Sequence, residues 1–185
     1  MPSSPTSSCA MRPDSCRAVM AGTDEETPAA APPSGAEEHF RALERLYAAA
    51  PINRKFASRL VIPGEGLARL TFTVTPEDYH AAGAAHGTIY FKMLDDAAFY
   101  AANTLVTDRF LLTTSFNLLF TRPVRAGTVT AEGRWVNGRR RVFVAEARLI
   151  DASGEEIGRG TGTFMRSRIP LSGLAGYAAP GLAGD

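Results

Sequence analysis

Only two cysteines, Cys9 and Cys16, occur in the 185 residues, both in a polar N-terminal stretch and at a spacing that forms no metal or redox motif. That excludes a disulfide framework and indicates a reducing compartment, so a cytoplasmic location is expected. Lysine is nearly absent, at Lys55 and Lys92 alone, and the 20 basic residues are balanced by 19 acidic ones for a net charge of +1. Without a broad positive field, neither a nucleic acid nor an anionic membrane surface is an expected partner. The three histidines lack a further ligand at a sensible spacing, so no metal site and no cofactor are expected. No apolar run has the length of a signal-peptide core or a membrane span.

What is present sorts into three segments. Residues 1–36 are rich in Ser, Pro, Ala and Thr and read as a disordered leader; residues 169–185, with Pro170, Pro180 and several Gly and Ala, read as a flexible tail. Residues 37–168 are enough for one domain with a proper core. Phe40, Leu43, Leu46 and Tyr47 recur at helical spacing from Glu37 to Ala50, ahead of Pro51. Ala68, Leu70, Phe72 and Val74 alternate with polar residues as a half-buried strand. Further on, Leu112, Thr114, Phe116, Leu118 and Phe120 alternate with Thr113, Ser115, Asn117 and Thr121, and Val129, Ala131, Gly133 and Trp135 form the next series. Asn137-Gly138 signals a two-residue hairpin into a strand over 141–150, and a last strand over 156–166 carries Gly158, Gly160 and Gly162 on one face, as close packing against a helix requires. Short connections imply antiparallel neighbours. The pattern predicts an α+β domain, a single antiparallel sheet with one buried helix on its concave face and an open edge that oligomerisation would cover.

That helix lies in the most informative stretch, from Tyr79 to Asn103. A His86-Gly87 pair opens it, and Ile89, Phe91, Met93, Leu94, Ala97, Ala98, Phe99, Ala101 and Ala102 make it apolar on every face. A helix of that kind is wrapped by protein. It nevertheless carries Asp95 and Asp96, about 100° apart on the helical wheel. Lys92 stands four residues before Asp96, the spacing of an ordinary ion pair. Asp95 instead lines up with Phe91, Ala98, Phe99 and Ala102, where a carboxylate serves either chemistry or a set of structural hydrogen bonds. Gly87 at a helix start either aims backbone N–H groups at an anion or simply forms a tight turn.

The motif G-A-A-H-G-x-x-x-x-x-x-L-D-D-A-A, followed by a strand ending in R-P-V-x-x-G, resembles the hotdog-fold acyl-CoA thioesterases of the phenylacetyl-CoA thioesterase (PaaI) type, over about residues 37–168. The resemblance implies a curved antiparallel sheet wrapped around one long central helix, homodimers and dimers of dimers, and hydrolysis of acyl-CoA to free acid and CoA. A catalytic Asp or Glu nine residues after the motif histidine falls on Asp95, as general base or as nucleophile, with the Gly87 N–H of the other subunit polarising the thioester carbonyl. Thr113 would orient the water, and His86 would fix the loop or touch the carbonyl.

Two positions depart from the pattern. His80 stands where the family carries Asn or Gln, and Thr88 replaces the second motif glycine, which bears on the fit of the acyl chain. For the CoA phosphates the candidate cations are Arg122, Arg125, Arg139, Arg140 and Arg141, with Arg166 and Arg168 beyond; Phe91, Phe99, Tyr100 and Phe116 are candidates for an acyl tunnel. From a different class, a non-catalytic acyl-CoA or fatty-acid binding module would use the same groove. A hotdog dehydratase or hydratase is the weaker enzyme alternative, because those enzymes pair a His with an Asp or Glu in differently arranged motifs and no such pairing is found here.

Overall fold

A computed structural model describes residues 34–178. The leader as far as residue 33, both cysteines, and the tail from 179 lie outside the described residues. Helix α1 (Ser34–Ala49) turns Phe40, Leu43, Leu46 and Tyr47 inward, and a 3-10 turn at Pro51–Arg54 follows it. Strands β1 (Arg59–Gly64) and β2 (Leu67–Val74) come next, then helix α2 (Gly87–Asn103) and strands β3 (Arg109–Phe120), β4 (Gly127–Asn137), β5 (Val142–Ile150) and β6 (Glu156–Pro170). They form one six-stranded sheet in the order β1-β2-β4-β5-β6-β3, antiparallel throughout.

α2 packs on one face of the sheet, against β2, β4, β5 and β6. That face supplies Leu70, Phe72, Val129, Ala131, Phe143, Ala145, Leu149 and Phe164, all buried. The opposite face is polar, with Arg69, Glu132, Arg148 and Arg159 side by side across four strands.

Several expectations need correction. β1 has little strand signature in the sequence, because Leu60 and Ile62 give only two inward positions before Pro63 and Gly64 end the alternation. Its free edge is covered by α1: Glu44 Oε1 accepts from the Ile62 N–H at 2.7 Å and Arg41 donates to the Ile62 carbonyl at 3.0 Å. β3 and β4 are consecutive but not neighbours, since β3 lies at the far edge beside β6. Three inter-strand spacings amount to about 14 Å, which residues 121–126 can span around the sheet end. Val124 is buried on the way, its carbonyl accepting from Ala85 N–H at 2.7 Å.

β3 also breaks phase. A bulge between Thr113 and Ser115 inverts the alternation, so Leu111 and Thr113 face α2 together with Phe116, while Leu112 turns outward. The β4–β5 connection comprises residues 138–141 and is not a two-residue turn; Gly138 holds φ +86°, and a Cβ there would meet the Val142 carbonyl oxygen at 2.1 Å. Of the glycine row, only Gly158 faces helix side chains, those of Tyr90 and Leu94. Gly160 and Gly162 make room for the Phe116 ring of the next strand. Between residues 169 and 178 the chain is still anchored to the domain. β6 runs to Pro170, Leu171 is buried, and the Tyr177 hydroxyl lies 2.7 Å from Nδ1 of the buried His39. Phe91, expected to be wrapped, is 46% exposed.

Candidate active site

α2 begins where His86 caps it. The residue is extended (φ −65°, ψ 146°), and its Nδ1 accepts from Thr88 N–H at 3.1 Å, so the imidazole fixes the turn. The Gly87 N–H, at the first helical position, has no intrahelical acceptor and lies at the positive end of the helix dipole. His80 bonds its own turn, its Nδ1 accepting from Ala82 N–H at 3.0 Å. Together with Gly87, Tyr90, Phe120 and Arg122 it lines a recess of about 310 Å³.

Two turns further along α2, Asp95 is half-buried. Thr113 donates its hydroxyl to Oδ1 at 3.1 Å, with Oδ2 at 3.4 Å. The β3 bulge makes this contact, because unbroken alternation would have placed Thr113 on the other side of the sheet. Burial, with the neighbouring Asp96 charge second, pushes the Asp95 carboxyl up to about 6; the Thr113 hydroxyl and Lys92 oppose the shift. Asp96 is also raised by burial, against Lys92 and Tyr47. Lys92 forms the ion pair with Asp96 that their spacing indicated. Asp95, Asp96 and Lys92 share a cleft of about 260 Å³ with Tyr47, Ile52, Phe99 and Phe110.

Thr88, Phe91 and Asp95 form one stripe on α2, and the Phe91 ring packs edge-on against Phe116 of β3 at 5.7 Å. Of the tunnel candidates, Phe99 and Tyr100 line the Asp95 cleft, whereas Phe91 and Phe116 lie outside its lining. Arg122 borders the Gly87 recess and pairs with Glu155 at 3.4 Å; Arg125 is exposed nearby in sequence. Arg139 stacks over Trp135 at 4.5 Å, with Arg140 and Arg141 exposed beside it. These two arginine groups flank opposite ends of β4, so one chain does not bring them together. Nor does one chain unite Gly87 with Asp95, since eight residues of helix separate them by about 12 Å. Sequence reasoning missed Tyr47 and Ile52 as cleft walls: a tyrosine on an amphipathic helix carries no signal of a contact made so far along the chain.

The thioesterase superfamily matches residues 82–157, which begin just before the His86-Gly87 turn and run into β6. A "Putative esterase" of Sulfurisphaera tokodaii is 30% identical over 100 residues, 54% of this chain and 74% of that protein. A like-named protein of Saccharolobus solfataricus is 26% identical over 101 residues, 55% of this chain and 67% of the other. Among solved structures, the E. coli PaaI protein from the phenylacetic acid degradation operon superposes with a TM-score of 0.67 at 20% identity, covering 73% of this chain and 97% of that one. A Haemophilus influenzae thioesterase gives 0.62 at 18%, covering 69% and 88%. These likenesses identify the architecture as the hotdog fold. The chain belongs to the thioesterase superfamily, and its general chemistry is thioester hydrolysis.

Proposed function

We propose that the protein hydrolyses acyl-CoA thioesters as a homodimer, two of which pair into a tetramer, in the cytoplasm. The observation that carries this reading is the Asp95–Thr113 contact at the wall of a cleft, with the carboxyl raised to about 6 and therefore ionised at neutral pH. The free N–H of Gly87 is too distant on the same helix to serve the same carbonyl. Two copies related by a two-fold axis would set Asp95 of one against Gly87 of the other. Of the two sheet edges, β1 is covered by α1, which leaves β3, the strand that carries Thr113, for that pairing.

In this reading the thioester carbonyl accepts a hydrogen bond from the partner's Gly87 at the helix start, where negative charge is favoured as the oxyanion forms. Asp95 either removes a proton from an attacking water held by Thr113, or attacks the carbonyl itself to give an anhydride that water then opens. Both routes end in free acid and CoA thiol. The acyl group would occupy the cleft bordered by Ile52, Phe99 and Phe110, with Thr88 and Phe91 at its approach. Arg122 and Arg125, or Arg139, Arg140 and Arg141, would meet the nucleotide phosphates. Thiol release measured over short, medium, long and aryl acyl-CoA esters tests the activity; saturable binding without thiol release would identify a binding module instead.

The shared site has its own test. Gly87→Pro removes the N–H while keeping a residue that suits the first helical position, after a His86 already in the extended conformation that precedes proline. Gly87→Pro and Asp95→Asn homodimers should each be nearly inactive. Mixing and re-associating them should restore about a quarter of wild-type activity, because half the dimers then hold one intact site of two. Mixing that restores nothing would place both groups in one chain.

A further inference from the structure

We infer that Lys92 and Asp96 act together as a positioning pair for Asp95, setting the charge around the carboxylate that the reaction uses; the inference rests on the role proposed for Asp95 above. An exposed pair in this order, lysine four residues before aspartate, is the less favourable orientation and would stabilise a helix only slightly. This pair is not exposed: the side chains are 14% and 21% accessible. Lys92 Nζ is enclosed from two further segments. It lies 3.4 Å from the Tyr47 hydroxyl and 5.0 Å from the centre of that ring, and 5.7 Å from the Phe56 ring. Tyr47 is tied in turn to Ser58, hydroxyl to hydroxyl, at 2.5 Å. The ammonium therefore cannot swing away to solvent without breaking contacts to α1 and to the segment after the 3-10 turn.

The charges facing Asp95 are few. α2 contributes Lys92 and Asp96, α1 contributes the Tyr47 phenol, α2 also brings the Tyr100 phenol to the same cleft, and β3 contributes only the neutral Thr113 hydroxyl. Lys92 is the one cation among the described residues lining that cleft. Two carboxylates and one ammonium leave a net charge of −1. Because Lys92 bonds Asp96, Asp95 is left as the carboxylate that gains and loses a proton near neutrality.

Charge substitutions at the pair should move the acid limb of kcat/KM in opposite directions. In Asp96→Asn the ammonium stands uncompensated beside Asp95, favours its ionised form, and shifts the limb down by about one pH unit. In Lys92→Met two adjacent carboxylates share a half-buried site without a cation, and the limb moves up by about one pH unit. The double variant removes both charges together and should return the limb close to that of wild type. A purely structural pair would lower the unfolding midpoint of the variants and leave the limb in place. Titration of the Asp95 side-chain carboxyl by 13C NMR, assigned with Asp95→Asn, reads the same shifts without turnover, so failure of the hydrolase reading leaves this test decided. Shifts below about 0.3 pH unit in both single variants, or in the same direction, overturn the inference; if Lys92→Met does not fold, the direction found for Asp96→Asn decides alone.

Discussion

Asp95→Asn should release thiol from acyl-CoA about 10²- to 10⁴-fold more slowly than wild type, with the loss in kcat and little change in KM. The substitution is nearly isosteric and keeps an oxygen to accept the Thr113 hydroxyl, which donates at 3.1 Å in the native site. It removes only the capacity to take a proton or to attack a carbonyl. Wild-type kcat/KM should fall about tenfold per pH unit below pH ~6, where the carboxyl becomes protonated, and the residual activity of Asp95→Asn should show no such limb. Turnover within about threefold of wild type would remove Asp95 from the chemistry.

The same variant should be more stable than wild type in alkaline solution. In the folded chain the Asp95 carboxyl sits at about 6, against an ordinary 3.8, so between those values the native state binds more protons than the unfolded one. Stability attributable to this group is then fully present below pH ~4, declines as pH rises, and is lost above pH ~6. Replacing the carboxylate by a neutral amide abolishes that loss. After discounting for partial exposure, Asp95→Asn should gain about 1–2 kcal/mol at pH 8 and almost nothing at pH 4, read from urea midpoints. A site selected for packing alone would show the reverse, since a satisfied structural carboxylate is destabilised by its amide.

Short-range periodicity carried most of the fold. The alternation of Leu70, Phe72 and Val74 and of Phe143, Ala145 and Leu149 located β2 and β5, and the all-round apolar stretch after His86-Gly87 located α2. What stayed hidden depends on pairing between distant segments. One extra residue at the β3 bulge leaves composition unchanged yet reverses which side of the strand faces inward, and the place of β3 beyond β6 is decided by the sheet's closure around α2. The clip between Tyr177 and His39 spans 138 positions in a stretch whose Gly and Ala content suggested no order. At the site, spacing alone identified the Lys92–Asp96 pair, whereas setting Thr113 against Asp95 needed the family resemblance. The enclosure of that pair by Tyr47 and Phe56 was legible in neither.

Gly133→Ala should be among the most damaging single-carbon changes in the described chain. The residue reads in sequence as one more inward position of β4, after Val129 and Ala131, where alanine would be welcome. In the fold, a Cβ on Gly133 would lie 2.0 Å from the Ala97 carbonyl oxygen, 2.3 Å from its carbon and 2.9 Å from the Ala98 nitrogen. These are backbone atoms in the middle of α2, so no rotamer change relieves the overlap and the helix must move off the sheet. Overpacking of this kind costs about 1–3 kcal/mol where side chains can give way, and more where they cannot, so a loss of at least ~3 kcal/mol in urea unfolding is expected. Ala97 lies two residues beyond Asp95; the displacement needed to admit one methyl group would also withdraw Asp95 from Thr113, and protein that still folds should have lost most of its activity. Gly35→Ala, at an exposed helical position with no atom within 4 Å of the new Cβ, should leave stability unchanged or slightly raised. If the two substitutions proved equally mild, the close approach of α2 to β4, and with it the placement of Asp95, would have to be abandoned.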